Sequence, residues 1–175
     1  MRYAAFLRAV NLGRNRRVTS AQFKSMFEAA GAEEVATFRT SGNVVFEASR
    51  DMAKAIEKEL EETLGYEVLI FLRTASELKA IARDTPFPAK VVEAAKGKLQ
   101  VMLLDSKPSA ATKKKVLALA TDEDRLAFGK RELYWLPSGG TQNAELDRKA
   151  IDELLGPSTM RTKGTAELLA EKYFV

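Results

Sequence analysis

Val35-Ala36-Thr37-Phe38-Arg39-Thr40-Ser41-Gly42-Asn43-Val44-Val45-Phe46-Glu47 is the stretch on which the fold turns. Residues 35–39 and 44–47 are rich in β-branched and aromatic side chains. Between them Ser41-Gly42-Asn43 supplies Gly and Asn, which accept the positive φ of a tight turn. The stretch predicts a β-hairpin. On either side the apolar spacing changes from that of a strand to that of a helix. Upstream, Thr19 is an N-cap with Gln22 as its capping-box partner, and Val18 and Phe23 are spaced as a hydrophobic staple. Phe23, Met26, Phe27 and Ala30 keep helical spacing, and Gly31 supplies the stop. Downstream, a helix over about residues 52–64 puts Ile56, Leu60 and Leu64 on one face and ends at Gly65. Apolar residues 3–10 form the first strand and 66–72 the last. The order is β-α-β-β-α-β, the ferredoxin-like arrangement.

The remainder repeats it. Thr74, with Glu77 as capping-box partner, opens a connecting helix that Asp84-Thr85-Pro86-Phe87-Pro88 halts. A strand over 98–104 and a helix over 109–120 follow, then hairpin strands 125–128 and 132–136 around Gly129-Lys130. A helix over 144–155 is capped by Asn143 and ended by Gly156-Pro157. A short strand over 158–161 and a terminal helix over 165–173 complete the order. Tyr134 and Trp135 alternate across one strand, so only one of them is expected in the core. The expected class is α+β: two ferredoxin-like (βαββαβ, alpha-beta plait) halves with a connecting helix and a C-terminal helix. Residues 1–73 form the first half, 74–97 the connecting helix and linker, and 98–175 the second half with the terminal helix.

Composition restricts the chemistry. The 175 residues contain neither Cys nor His. That removes disulfides, thiolate catalysis, Ser-His-Asp arrangements and the commonest metal ligand, and it weighs against an enzyme. Apolar residues make up 46% and charged residues 30%, an ordinary globular balance. The opening residues are too soon interrupted by charge for a secretory signal, and no apolar run reaches the 18 or so residues of a membrane helix. A cytoplasmic protein without membrane contact, metal or cofactor is expected. Net charge is only +4, yet residues 1–27 hold Arg2, Arg8, Arg14, Arg16, Arg17 and Lys24 with no acid before Glu28.

Topology turns these positions into neighbours. Right-handed crossovers make the first two strands of a βαββαβ unit parallel. The loop leaving the first strand and the hairpin after the second then share one sheet end. That end gathers Arg8, Asn11, Gly13, Arg14, Asn15, Arg16 and Arg17 with Thr40, Ser41 and Asn43. Glycines admit a ligand to the backbone and arginines offer forked donors, a chemistry suited to anions. Gly and Asn equally serve a loop and a hairpin by accepting positive φ alone. In the second half, the exits of the third and fourth strands bring Ser138 and Asn143 beside Arg161, Lys163 and Thr165. This is a second donor-rich cluster, in which Asn143 and Thr162 also fit as helix caps. Nucleotide-loop spacing is absent. The acidic residues of 51–62 interleave with Lys54 and Lys58 as on a solvated helix face, and in sequence the aromatics do not interleave with basic residues.

Leu7-Arg8-Ala9-Val10-Asn11-Leu12-Gly13 followed by Thr40-Ser41-Gly42-Asn43-Val44-Val45-Phe46 resembles the start of the domain of unknown function 1697 family. Pro86-Phe87-Pro88 and Arg161-Thr162-Lys163-Gly164-Thr165 are similar to its later motifs, so the resemblance spans nearly the whole chain. It implies two ferredoxin-like halves and no particular activity. Where the family usually shows Gly this chain has Ala9 and Arg14, and Thr162-Lys163-Gly164 stands where it tends to show Asn-Trp-Asn. Three functions fit these residues. A non-enzymatic binding protein for phosphate-bearing partners, RNA foremost, follows from the acid-free basic block. An enzyme or sensor for a small anionic metabolite, a phosphorylated small molecule for instance, follows from the loop clusters. A protein-interaction or self-association module follows from open sheet edges.

Overall fold

A computed structural model describes residues 1–8, 18–39 and 42–175. The chain divides into two compact units, Met1–Lys79 with Leu169–Val175, and Ala80–Leu168. Each is an α+β, ferredoxin-like half.

In the first unit, β1 (Arg2–Arg8), α1 (Ser20–Ala29), β2 (Glu33–Thr37), β3 (Asn43–Glu47), α2 (Ala53–Leu64) and β4 (Leu69–Thr74) follow one another. The sheet order is β2-β3-β1-β4, and β1 pairs antiparallel with both β3 and β4. Local chemistry sets the ends. The Thr19 side chain accepts the Gln22 N–H and the Gln22 side chain accepts the Thr19 N–H, a complete capping box. Gly65 closes α2 in the left-handed conformation at φ 80°. On the helix-bearing face Tyr3, Ala5 and Leu7 alternate along β1 and join Phe27, Phe46, Ile56 and Leu60 in one core. Phe46 stacks on Tyr3 at 5.6 Å and meets Phe27 edge-on at 5.5 Å, each such pair adding about 0.5–1.5 kcal/mol beyond its buried area. Ala4 and Phe6, on the opposite face, are also buried. The edge strand β2 carries a register shift between Glu33 and Ala36, an irregularity that discourages edge pairing.

α3 (Ala75–Arg83) follows, opened as expected by Thr74: its backbone N–H donates to the Glu77 carboxylate at 2.9 Å, and its hydroxyl accepts the Glu77 N–H at 3.3 Å. After the proline-rich stop the chain forms a further short helix, α4 (Ala89–Ala94), starting beyond Pro88 at φ −57°, the value at which proline precedes a helix without strain.

The second unit continues with β5 (Gln100–Leu104), α5 (Ala110–Leu117), β6 (Asp124–Phe128), β7 (Glu132–Pro137), α6 (Arg148–Leu155) and β8 (Ser158–Thr162). Its sheet order, β6-β7-β5-β8, repeats the first. The last helix, α7 (Lys163–Tyr173), begins in this unit and ends in the first. Met102, Leu133, Trp135 and Ile151 form the core on the helix-bearing face.

Two expectations are corrected here. Tyr134 and Trp135 are both buried, because β7 is central in its sheet and both of its faces are covered, as buried Val101 and Leu136 show on the Tyr134 side. Asn143 does not cap α6. It ends a short 3-10 turn, Thr141–Asn143, and α6 starts at Arg148 with the Asp147 carboxylate accepting the Ala150 N–H. The reason is nonlocal. The fully buried Asp124 carboxylate accepts the Glu145 N–H at 3.2 Å and holds this segment out of the helix. The same carboxylate accepts Trp135 Nε1–H at 2.9 Å and the Thr121 hydroxyl at 2.9 Å.

Candidate anion-binding sites

β1 and β2 are both antiparallel to β3 and therefore parallel to each other. The end of β1 and the β2–β3 hairpin lie at one sheet end, as expected. The Leu7 N–H donates to the Gly42 carbonyl at 2.9 Å, tying them directly. Arg8 closes β1 there, exposed, and neither Arg8 nor Arg39 makes an ion pair with a described residue. Asn11, Gly13, Arg14, Asn15, Arg16, Arg17, Thr40 and Ser41 lie outside the described residues. Asn43 opens β3 and is buried. Its side-chain Nδ2 donates to the Phe38 carbonyl at 3.1 Å, while its own carbonyl accepts the Phe38 N–H at 2.9 Å. It clamps the hairpin. Elsewhere in the basic opening block, Arg2 is held by Glu47 at 2.7 Å and by the Tyr173 carbonyl at 2.9 Å.

Beside Asn43, Phe38 gathers residues that no local pattern connects. The Arg39 guanidinium lies 5.4 Å and Lys172 Nζ 5.8 Å from the Phe38 ring centre. Tyr173 meets the same ring edge-on at 6.2 Å. Arg39 holds φ 58°, a left-handed conformation uncommon outside glycine. An aromatic pair and two cations thus stand together although the sequence puts them at opposite ends of the chain.

In the second unit β7 and β8 are parallel, both antiparallel to β5, so their exits share one sheet end. The Ser138 carbonyl accepts the Lys96 N–H at 2.9 Å, and the Lys163 N–H donates to the Leu99 carbonyl at 2.9 Å, placing both exits against the segment entering β5. The cationic side chains there serve the fold. Lys163 is buried and donates Nζ to the Ala82 carbonyl at 3.0 Å and to Glu167 at 2.6 Å. Thr165 is buried against Thr162, whose hydroxyl caps the Thr165 N–H at 3.3 Å, so the expected Thr162 cap is present. Arg161 donates to the Thr159 hydroxyl and the Met160 carbonyl, both at 2.8 Å, and burial lowers its guanidinium to about 10.

An open cleft of about 400 Å³ lies at the same sheet end, lined by Lys96, Gly97, Lys98, Gln100, Thr141 and Gln142. None of these was a sequence-derived candidate. The one signal for them was Lys96-Gly97-Lys98 itself, which lacks meaning until Ser138 and Pro137 fix it. Among the described residues no cluster of three or more Asp and Glu suits a metal ion, and no helix is long and apolar enough to cross a membrane.

Two ferredoxin-like halves, each with one four-stranded antiparallel sheet, define the class of the protein. The chain belongs to the family described as Protein of unknown function (DUF1697), whose sequence profile matches residues 1–134. Its fold is similar to that of the conserved bacterial protein SP0830 from Streptococcus pneumoniae, with a TM-score of 0.72 and 18% identity over 97% of this chain and 96% of that one. No curated protein matches the chain.

Proposed function

We propose that this protein is a non-enzymatic binder of phosphate-bearing partners, single-stranded RNA foremost, acting at the end of the first sheet. The observation that carries the reading is the Leu7–Gly42 hydrogen bond of 2.9 Å. It holds the end of β1, which carries Arg8, against the β2–β3 hairpin, which carries Arg39; Arg14, Arg16 and Arg17 follow Arg8 in sequence. The exposed guanidinium groups of Arg8 and Arg39, without carboxylate partners among the described residues, would give phosphate forked, charge-assisted donors. Phe38 and Tyr173 beside Arg39 and Lys172 supply aromatic surface next to cations, the combination that single strands use. Cysteine and histidine chemistry is unavailable to this chain, which favours binding over turnover.

Fluorescence anisotropy with labelled single-stranded and duplex RNA across a salt series tests this. Affinity should fall steeply as salt rises. Arg8→Gln with Arg39→Gln should weaken binding and reduce the logarithmic salt slope by about 1–2. Absence of binding at low salt would sink the reading.

A further inference from the structure

We infer that the cleft in the second unit is a binding site for a small phosphate monoester. Three features of the backbone build it. Lys96 and Gly97 donate their N–H groups to the Ser138 and Pro137 carbonyls at 2.9 and 3.1 Å, so the segment is fixed against the exit of β7. Gly97 must be glycine there, since a Cβ would stand 2.4 Å from the Pro137 carbonyl oxygen. Gly140, at φ 94°, turns the chain after β7 so that Thr141 and Gln142 line the other side.

The side chains set the ligand. Lys96 and Lys98 flank Gly97, both exposed, and neither forms an ion pair with a described residue. Two uncompensated ammonium groups on one cleft match the two negative charges of a phosphate monoester near neutral pH. Gln100 is buried at the base, oriented by donation of Nε2 to the Lys98 carbonyl at 3.0 Å. With the Thr141 hydroxyl and the Gln142 amide it offers neutral donors and acceptors suited to the hydroxyl groups of the esterified portion. A volume of about 400 Å³ suits a metabolite rather than a polymer. The site shares no residue with the arginine-bearing end of the first sheet and does not depend on it.

Amide chemical-shift titrations of the full chain at constant ionic strength test the assignment, with glycerol 3-phosphate, inorganic phosphate and glycerol as probes. Glycerol 3-phosphate should give saturating shifts at Gly97, Lys98, Gln100, Gly140, Thr141 and Gln142. It should bind more tightly than inorganic phosphate, and glycerol should produce no shift. Lys96→Gln with Lys98→Gln should raise Kd by about tenfold or more, whereas Arg8→Gln with Arg39→Gln should leave it unchanged. Non-saturating shifts, saturation at other residues, or full affinity in the lysine variant would overturn the site. Equal affinity for inorganic phosphate and glycerol 3-phosphate would overturn the monoester class. Should the double lysine variant fold poorly, Lys98→Gln alone and the wild-type shift map decide.

Discussion

Asp124→Asn in the second unit is the most direct test of how this fold is held together. Asp124 is fully buried and accepts from Trp135 Nε1, the Thr121 hydroxyl and the Glu145 N–H at 2.9, 2.9 and 3.2 Å. Two effects oppose each other. Removing a buried negative charge relieves a desolvation cost, which favours the variant. The amide, however, cannot accept at both positions. One oxygen of the carboxylate receives Trp135, while the other receives both Thr121 and Glu145. Placing NH2 at the second position leaves the Glu145 N–H facing a donor, and the flipped amide orphans Trp135 Nε1 instead. A stranded buried donor costs about 1–3 kcal/mol, and bonds to a charged acceptor exceed neutral ones by about 1 kcal/mol. The net expectation is a loss of about 1–3 kcal/mol once partial relief of desolvation is subtracted. Trp135 is the only tryptophan, so urea unfolding followed by its fluorescence reports on this unit. A cycle with Trp135→Phe, followed by far-UV circular dichroism, should give a coupling of about 1 kcal/mol or more. Asp124→Asn as stable as wild type, with no coupling to Trp135, would refute the claim that these hydrogen bonds outweigh the buried charge.

Four further substitutions have stated outcomes. Thr19→Ala removes the capping box of α1 and should lower stability by about 1 kcal/mol in chemical denaturation. Gly97→Ala drives a Cβ to 2.4 Å from the Pro137 carbonyl oxygen and should cost about 1–3 kcal/mol by the same measurement. Lys163→Met strips the Ala82 carbonyl of its 3.0 Å donor and should cost about 1–3 kcal/mol. Lys58→Met, which breaks only the exposed pair with Glu62 at 3.7 Å, should cost under about 0.5 kcal/mol.

What the sequence made legible was what neighbouring residues decide. The capping boxes of Thr19 with Gln22 and Thr74 with Glu77 close over three residues and formed as read. The parallel run of β1 and β2 followed from crossover handedness, and with it the meeting of β1 with the β2–β3 hairpin. Asn143 was a plausible cap by local rules, but a carboxylate on another strand captured the Glu145 N–H and moved the helix start to Arg148. The burial of both Tyr134 and Trp135 depended on β7 being central and covered on both faces. Alternation along one strand cannot reveal that. Lys163 read as a free cation in a donor-rich loop because its acceptor, Ala82, lies 81 residues away.

The fate of Lys163 bears on how the two halves came to differ. It opens α7, where a cation next to its own helix N-terminus gains nothing from the helix dipole. Its ammonium group reaches instead the Ala82 carbonyl near the C-terminal end of α3 and the Glu167 carboxylate one turn on. Helix C-termini favour cations, so the charge serves to cap a helix and its burial is compensated. In the first unit Arg8 stays exposed at the exit of β1, with no carboxylate among the described residues to neutralise it. One sheet order therefore supports two treatments of positive charge. In the second unit it is drawn inward to join elements, leaving Lys96 and Lys98 as the outward cations of the cleft. In the first it faces solvent, where an exposed guanidinium adds little to stability. Neutralising Arg8 should then leave folding unchanged while neutralising Lys163 weakens it, and that contrast separates charge the fold uses from charge it does not need.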